Sequence, residues 1–253
     1  MISLSTFNLL IWIWIGIALL IFPIQLKVTA PYGRYTQISW GPMIDNRLGW
    51  FLMEFPALAV FLYFILSYAD FENKIVITAS LLWILHYFNR VIIFPFRIRT
   101  SGKKMPVIIL LFAFIFNLVN ASANAYWLSM YLSNTELKGI IWIRLIGGIL
   151  AFLTGYAINQ YHDRKLIRLR KENKNGYKIP YGGLFSYISC PNYFGEILEW
   201  GGFTLFIWNL PALSFLVWTI VNLVPRALDH HKWYLEHFTE YPKERKAVIP
   251  FLL

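Results

Sequence analysis

Apolar residues fill seven long stretches of this chain, at roughly 7–26, 48–68, 75–96, 106–132, 139–161, 192–209 and 211–228. Each is about long enough to span, or nearly span, the ~30 Å hydrocarbon core of a bilayer. The last two runs are parted only by Asn209, Leu210 and Pro211, as in a tight hairpin whose proline opens the next helix. The first run has no basic flank and no small-residue cleavage site, so it reads as a retained helix rather than a signal peptide. The pattern predicts an all-α integral membrane protein of seven transmembrane helices in a single domain, 1–253.

Polar residues inside the later runs recur at helical spacing. Three sets stand out: Asn159, Asp163 and Arg170; Asn192, Glu196 and Glu199; and Arg226, His230 and Tyr234. At about 100° per residue each set falls on one stripe, no more than roughly 80° wide. Ionisable groups are costly in a bilayer and face a wet cavity or one another, so three stripes predict a shared polar pocket. The bland alternative is a set of interhelical ties, each contributing only about 0.6 kcal/mol.

A smaller constellation lies in the first half. Glu54 sits deep in WFLMEFPAL with no basic residue close by in sequence, and HYFNR places Tyr87 and Arg90 three apart on one helical face. A neutral or hydrogen-bonded Glu54 beside a tyrosine hydroxyl could donate to a substrate oxygen. Equally, Glu54 could be capped by an amide of the stripe Asn117, Asn120 and Asn124.

Composition agrees with the membrane assignment: the 253 residues are 58% hydrophobic and only 14% charged, where a soluble domain carries about a quarter charged. Mean hydropathy is +0.52. Charge sets the orientation. Of the 23 Lys and Arg, all but Lys74, Lys138 and Arg144 fall on 27–47, 97–105, 162–191 and the carboxyl tail, or on the helix ends beside them. The positive-inside rule therefore puts the amino terminus outside and the carboxyl terminus in the cytoplasm. It also accounts for the net charge of +10 without nucleic acid. The stripes open toward this basic side, which suits an anionic ligand, because arginine grips phosphate with two charge-assisted hydrogen bonds. Lys165, Lys171 and Lys174 read more simply as topology anchors; Arg170 and Arg226 fit either role.

Several chemistries are missing from the pattern. The chain has no GxGxxG, GxxxxGK[ST], HExxH or CxxC, and its single Cys190 cannot form an internal disulfide. His86, His162, His230, His231 and His237 are not at metal-ligand spacing, so no metal site is expected. The tripeptide Asn120-Ala121-Ser122 falls mid-span, beyond the reach of glycosylation.

The run GYKIPYGGLFSYISCPNYFGEILEWGGF, with INQYHDRKLIRLRK before it and RALDHHKWYLEHFTEYPKERKAVIPFLL after it, resembles the signature region of the steroid 5-alpha-reductases, or 3-oxo-5-alpha-steroid 4-dehydrogenases. The likeness is closest to the type 2-like branch. It is specific from about 144 to 253, weaker through WFLMEFPAL and HYFNR, and nearly absent from the first 45 residues. The resemblance implies a seven-helix fold and NADPH-dependent reduction of the 4,5 double bond of a 3-oxo-Δ4 steroid. It implies that Arg90, Asn159, Asp163, Arg170, Tyr177, Asn192, Glu196, Arg226, His230 and Tyr234 line the NADPH site. It further implies that Glu54 and Tyr87 hold the steroid's 3-keto oxygen as hydride reaches carbon 5.

Two departures bear on substrate range: Met53 stands where a close relative has glutamine, and the basic loop from Arg97 to Lys104 differs in length, which bears on Lys103 and Lys104 as cofactor contacts. The family pattern implies an endoplasmic reticulum protein in a eukaryote or an inner-membrane protein in a bacterium. The expected partners are the steroid and the bilayer, with a monomer and no protein partner. The alternatives are another membrane sterol double-bond reductase, an isoprenylcysteine-type S-adenosylmethionine methyltransferase, or a lipid transporter without chemistry; a transporter would show repeats or paired broken helices, which the chain lacks.

Overall fold

The computed structural model describes residues 2–98, 102–132, 140–172 and 176–253; Lys138 and Lys174 lie outside the described residues. The helices are α1 (Leu4–Gln25), α2 (Asn46–Tyr68), α3 (Lys74–Phe88), α4 (Phe94–Arg97), α5 (Val107–Met130), α6 (Ile140–Glu172), α7 (Pro191–Ile207) and α8 (Leu210–His237). A π turn, Asn89–Ile93, joins α3 to α4 in one rod. Among the described residues, six helical segments are long and apolar enough to cross a membrane: α1, α2, the α3–α4 rod, α5, α6 and α8. The run expected at 192–209 forms α7, whose 17 residues pack against α3, α6 and α8.

Local chemistry sets the ends. Asp45 Oδ1 accepts from the N–H groups of Arg47 and Leu48 at the start of α2, and Asn73 and Asn209 do the same for α3 and α8. Trp208 closes α7 in the left-handed region, and Pro211 occupies the first turn of α8, so the hairpin expected at 209–211 forms. The π turn has a sequence cause. Pro95 has no N–H to return to the Val91 carbonyl, so the ladder widens, and Phe94 N–H bonds instead to Asn89.

Exposed aliphatic and aromatic residues line the outside of the helices, among them Leu20, Leu66, Phe112 and Ile143. A surface so apolar suits lipid rather than water. Inside, Trp83, Trp200, Phe61, Phe152 and Phe203 are fully or nearly fully buried between α2, α3, α6 and α7. The most extensive helix pair is α6 with α7. Their backbones touch through glycines: a Cβ at Gly148 would lie 2.6 Å from Phe206 N, and one at Gly195 2.5 Å from Asn159 N.

Two features were not expected from the pattern. Met43–Asp45 and Lys104–Pro106 pair as short antiparallel strands, tying the approaches to α2 and α5 together. The carboxyl tail is also packed rather than loose. Arg245 is buried and donates to the Pro180 carbonyl at 3.0 Å, and Ser189 Oγ reaches His231 and Tyr241.

Candidate active site

Two cavities lie end to end within the bundle. The larger, about 590 Å³, has mostly apolar walls from α1, α5 and α8, with Glu54, His86, Tyr87, Arg90 and Asn117 at its polar end. The smaller, about 190 Å³, is lined by Arg34, Lys103, Lys104, Asp163, Arg170, Tyr177, Asn192, His230 and Tyr234. Tyr32, Trp50, Arg90, Glu196, Leu223 and Arg226 line both, and so mark the junction.

The polar end of the larger cavity is a network across three helices. Arg90 Nη2 donates to Glu54 Oε1 at 3.2 Å, while Asn117 Nδ2 donates to Glu54 Oε2 at 3.3 Å and to the Met53 carbonyl at 2.7 Å. The Tyr87 hydroxyl lies 3.5 Å from Asn117 Oδ1, the long limit of a hydrogen bond. The two readings of Glu54 thus meet in one residue: an Asn117 amide caps it, and it also faces the cavity beside Tyr87. Sequence proximity hid its cation. Arg90 arrives from the π turn, its guanidinium held 5.1 Å from the Trp50 ring centre and 5.0 Å from that of Phe94. Asn120 and Asn124 instead bond within α5, with Asn120 also accepting from Trp14.

The stripes do converge, though not all on the wall. Asn192 Nδ2 donates to Asp163 Oδ1 at 2.9 Å. Asn159 lines neither cavity: it is buried behind the wall, donating to the Asn192 carbonyl at 3.0 Å and to Glu196 Oε2 at 3.2 Å. From there it ties α6 to α7. Glu199 points away from the smaller cavity, toward His86. Cys190 lines the smaller cavity, but burial pushes its thiol pKa up to about 12, so it is no nucleophile at neutral pH.

Sequence reading missed the segment between α1 and α2. Arg226 donates to the carbonyls of Ala30 at 2.6 Å and Tyr32 at 2.8 Å, and its guanidinium lies 3.9 Å from the Tyr32 ring centre. Tyr35 stacks on His230 and hydrogen-bonds to its Nδ1 at 3.1 Å; burial raises the Tyr35 pKa to about 12. Arg34 sits among Tyr177, Trp233 and Tyr234, at 4.4, 4.2 and 4.9 Å from their ring centres. No motif flags these residues, because their partners lie about 140 to 200 positions away. Lys103 and Lys104, placed in doubt by loop length, do line the smaller cavity.

The smaller cavity is lined by six Lys and Arg against Asp163 and Glu196, a surplus of positive charge that suits an anion. Arg34 Nε and Nη1 and Arg226 Nε are buried with no hydrogen-bond partner in the structure. Buried unsatisfied donors cost about 1–3 kcal/mol each, and phosphate oxygens would satisfy them. The residues present therefore fit a phosphorylated cofactor.

The fold and the site thus define a helical membrane bundle in which an apolar cavity joins a basic one. A sequence profile of the 3-oxo-5-alpha-steroid 4-dehydrogenase family matches residues 103–253. Steroid 5-alpha-reductase DET2 of Arabidopsis thaliana is 43% identical over 233 residues, covering 88% of this chain and 87% of its own length. The DET2 protein of Gossypium hirsutum is 42% identical over 227 residues, covering 88% of each. The human 3-oxo-5-alpha-steroid 4-dehydrogenase 1 is 38% identical over 237 residues, covering 92% of this chain and 90% of its own. The chain belongs to the 3-oxo-5-alpha-steroid 4-dehydrogenase family, a family of oxidoreductases.

Proposed function

We propose that the protein reduces the 4,5 double bond of 3-oxo-Δ4 steroids to 5α-dihydro steroids, with NADPH as the reductant. The observation that carries this reading is the junction of the two cavities at Arg90, Glu196 and Arg226. An apolar chamber of about 590 Å³ is of the size that buries a small lipophilic ligand. The basic chamber beyond the junction suits a dinucleotide's phosphates.

The steroid lies with its 3-oxygen at the polar end of the larger cavity. Arg170, Tyr177, Asn192, Asp163, His230 and Tyr234 line the basic chamber and would hold NADPH, which would supply the hydride for carbon 5. Negative charge then moves through the enone to the 3-oxygen. Glu54 and Tyr87 hold that oxygen, with Arg90 and Asn117 fixing the Glu54 carboxyl in place. Losing one such donor typically lowers rate by about 10²–10³. Arg226 closes the junction by gripping the 30–32 carbonyls, while Asn159 keeps Asn192 and Glu196 in place.

The topology belongs to the same reading: α7 completes seven spans, with the amino terminus outside and NADPH entering from the cytoplasm. The membrane is the endoplasmic reticulum of a eukaryote or the inner membrane of a bacterium, and the enzyme works as a monomer. The deciding experiment is incubation of purified protein with NADPH and a 3-oxo-Δ4 steroid. The expected product is the 5α-dihydro steroid. Tight S-adenosylmethionine binding without NADPH binding would overturn the reading in favour of a methyltransferase, and steroid binding without turnover would favour a carrier.

A further inference from the structure

Beside the groups placed at the 3-oxygen lies a buried acid–base pair with no assigned task. His86 immediately precedes Tyr87 on α3, is only 3% exposed, and lines the larger cavity. Its Nδ1 lies 2.8 Å from Glu199 Oε1 on α7. Glu199 is fully buried, its second oxygen has no hydrogen-bond partner, and among the described residues its one ion-pair partner is His86. The rings of Tyr87 and Trp200, 4.9 and 4.7 Å from the imidazole, screen the pair from bulk water. As a mere strut between α3 and α7 this is a poor choice, because an acid with an orphaned oxygen costs more than an amide or an apolar contact.

We propose that His86 delivers the proton to carbon 4 of the steroid and that Glu199 replenishes it; this rests on the reductase reading above. Two bonds separate the 3-oxygen from carbon 4, so a donor to carbon 4 must sit beside the group holding the oxygen. His86 and Tyr87 are sequence neighbours on the same cavity wall. With Nδ1 tied to Glu199, Nε2 is the ring nitrogen left for the substrate. The step balances. After hydride has reached carbon 5, the C3–C4 π pair of the enolate takes the Nε2 proton, forming the C4–H bond and restoring the 3-ketone. The Glu199 carboxyl proton moves to Nδ1, leaving the other imidazole tautomer beside a carboxylate. One proton from water resets the pair, and the charged groups that share this end of the cavity are Glu54, Arg90 and Glu196.

The test uses the full-length protein with NADPH and a 3-oxo-Δ4 steroid in D₂O. Wild type is expected to place deuterium on one face of carbon 4. His86→Asn keeps a group able to reach Glu199 but removes Nε2. Turnover is expected to fall about 10²-fold or more, the usual worth of a general acid. NADPH and steroid dissociation constants should stay within threefold, and deuterium should spread over both faces as water takes over protonation. Glu199→Gln keeps size and hydrogen bonding but carries no transferable proton, and is expected to lower turnover at least tenfold with binding unchanged. Turnover within threefold of wild type in either variant would overturn the assignment. So would a slow His86→Asn whose deuterium stays on the wild-type face, or loss of NADPH binding in both variants, which would make the pair a strut. A wild type that yields no 5α-dihydro steroid would remove the reductase reading itself, and is scored before either variant.

Discussion

Gly195→Ala tests whether close packing of α6 on α7 sets the active site. The added Cβ would lie 2.5 Å from Asn159 N and 2.7 Å from Gly155 O, both backbone atoms of α6, where ordinary contact begins at 3.4 Å. Neither atom can rotate away, so the helices must part by about 1 Å. Overpacking of this kind costs about 1–3 kcal/mol, against which alanine returns up to about 1 kcal/mol of helix propensity. The functional cost is larger. Position 195 lies between Asn192 and Glu196, which receive hydrogen bonds from Asn159 at 3.0 and 3.2 Å. A misplacement of about 1 Å can cost roughly 10² in rate.

Gly201→Ala is the internal control, since a Cβ there meets nothing within 4 Å. It lies on the same helix and gains the same propensity. Thermal melting of purified protein by tryptophan fluorescence, an NADPH titration and steroid turnover would be read on both variants. The expected result is a lower melting temperature and a fall of about 10²-fold in turnover for Gly195→Ala, with Gly201→Ala at or above wild-type stability. Wild-type turnover and melting in Gly195→Ala would refute the claim that glycine contact fixes the register of α7.

Other outcomes follow from the site. Glu54→Gln should lower turnover by about 10²–10³ while changing NADPH affinity little, and Arg170→Ala should do the reverse, weakening NADPH about tenfold or more through a lost charge-assisted hydrogen bond; equal effects on both quantities in either variant would remove this division of labour. Asn159→Asp replaces a donor by an acceptor facing Glu196 Oε2 at 3.2 Å, so melting temperature should fall by the equivalent of about 1–3 kcal/mol, while Asn159→Ala should fall less. Arg34→Ala should weaken NADPH binding in a titration although it lies outside every recognisable motif, because it removes two orphaned donors from the smaller cavity; unchanged affinity would make the 30–36 segment a cover rather than a ligand.

The sequence by itself determined the helices and their polar faces. Runs of apolar residues dictate helical spans because lipid leaves no other way to satisfy the backbone, and helical spacing fixes which side chains share a stripe. Asp163, Asn192, Glu196, Arg226, His230 and Tyr234 were therefore legible as a set, and so was the hairpin at Asn209 and Pro211. Tertiary structure alone decided three things. It moved Asn159 from the wall to the layer behind it, because only the approach of α6 to α7 at Gly155 and Gly195 shows which end of a stripe is covered. It brought Arg90 to Glu54 through a π turn that shifts the helical phase. It laid residues 30–36 across Arg226 and His230, and Glu199 against His86, contacts between positions roughly a hundred to two hundred residues apart. Helical periodicity speaks for one element at a time; which faces meet is settled by packing, where the small volume of a glycine matters as much as any charge.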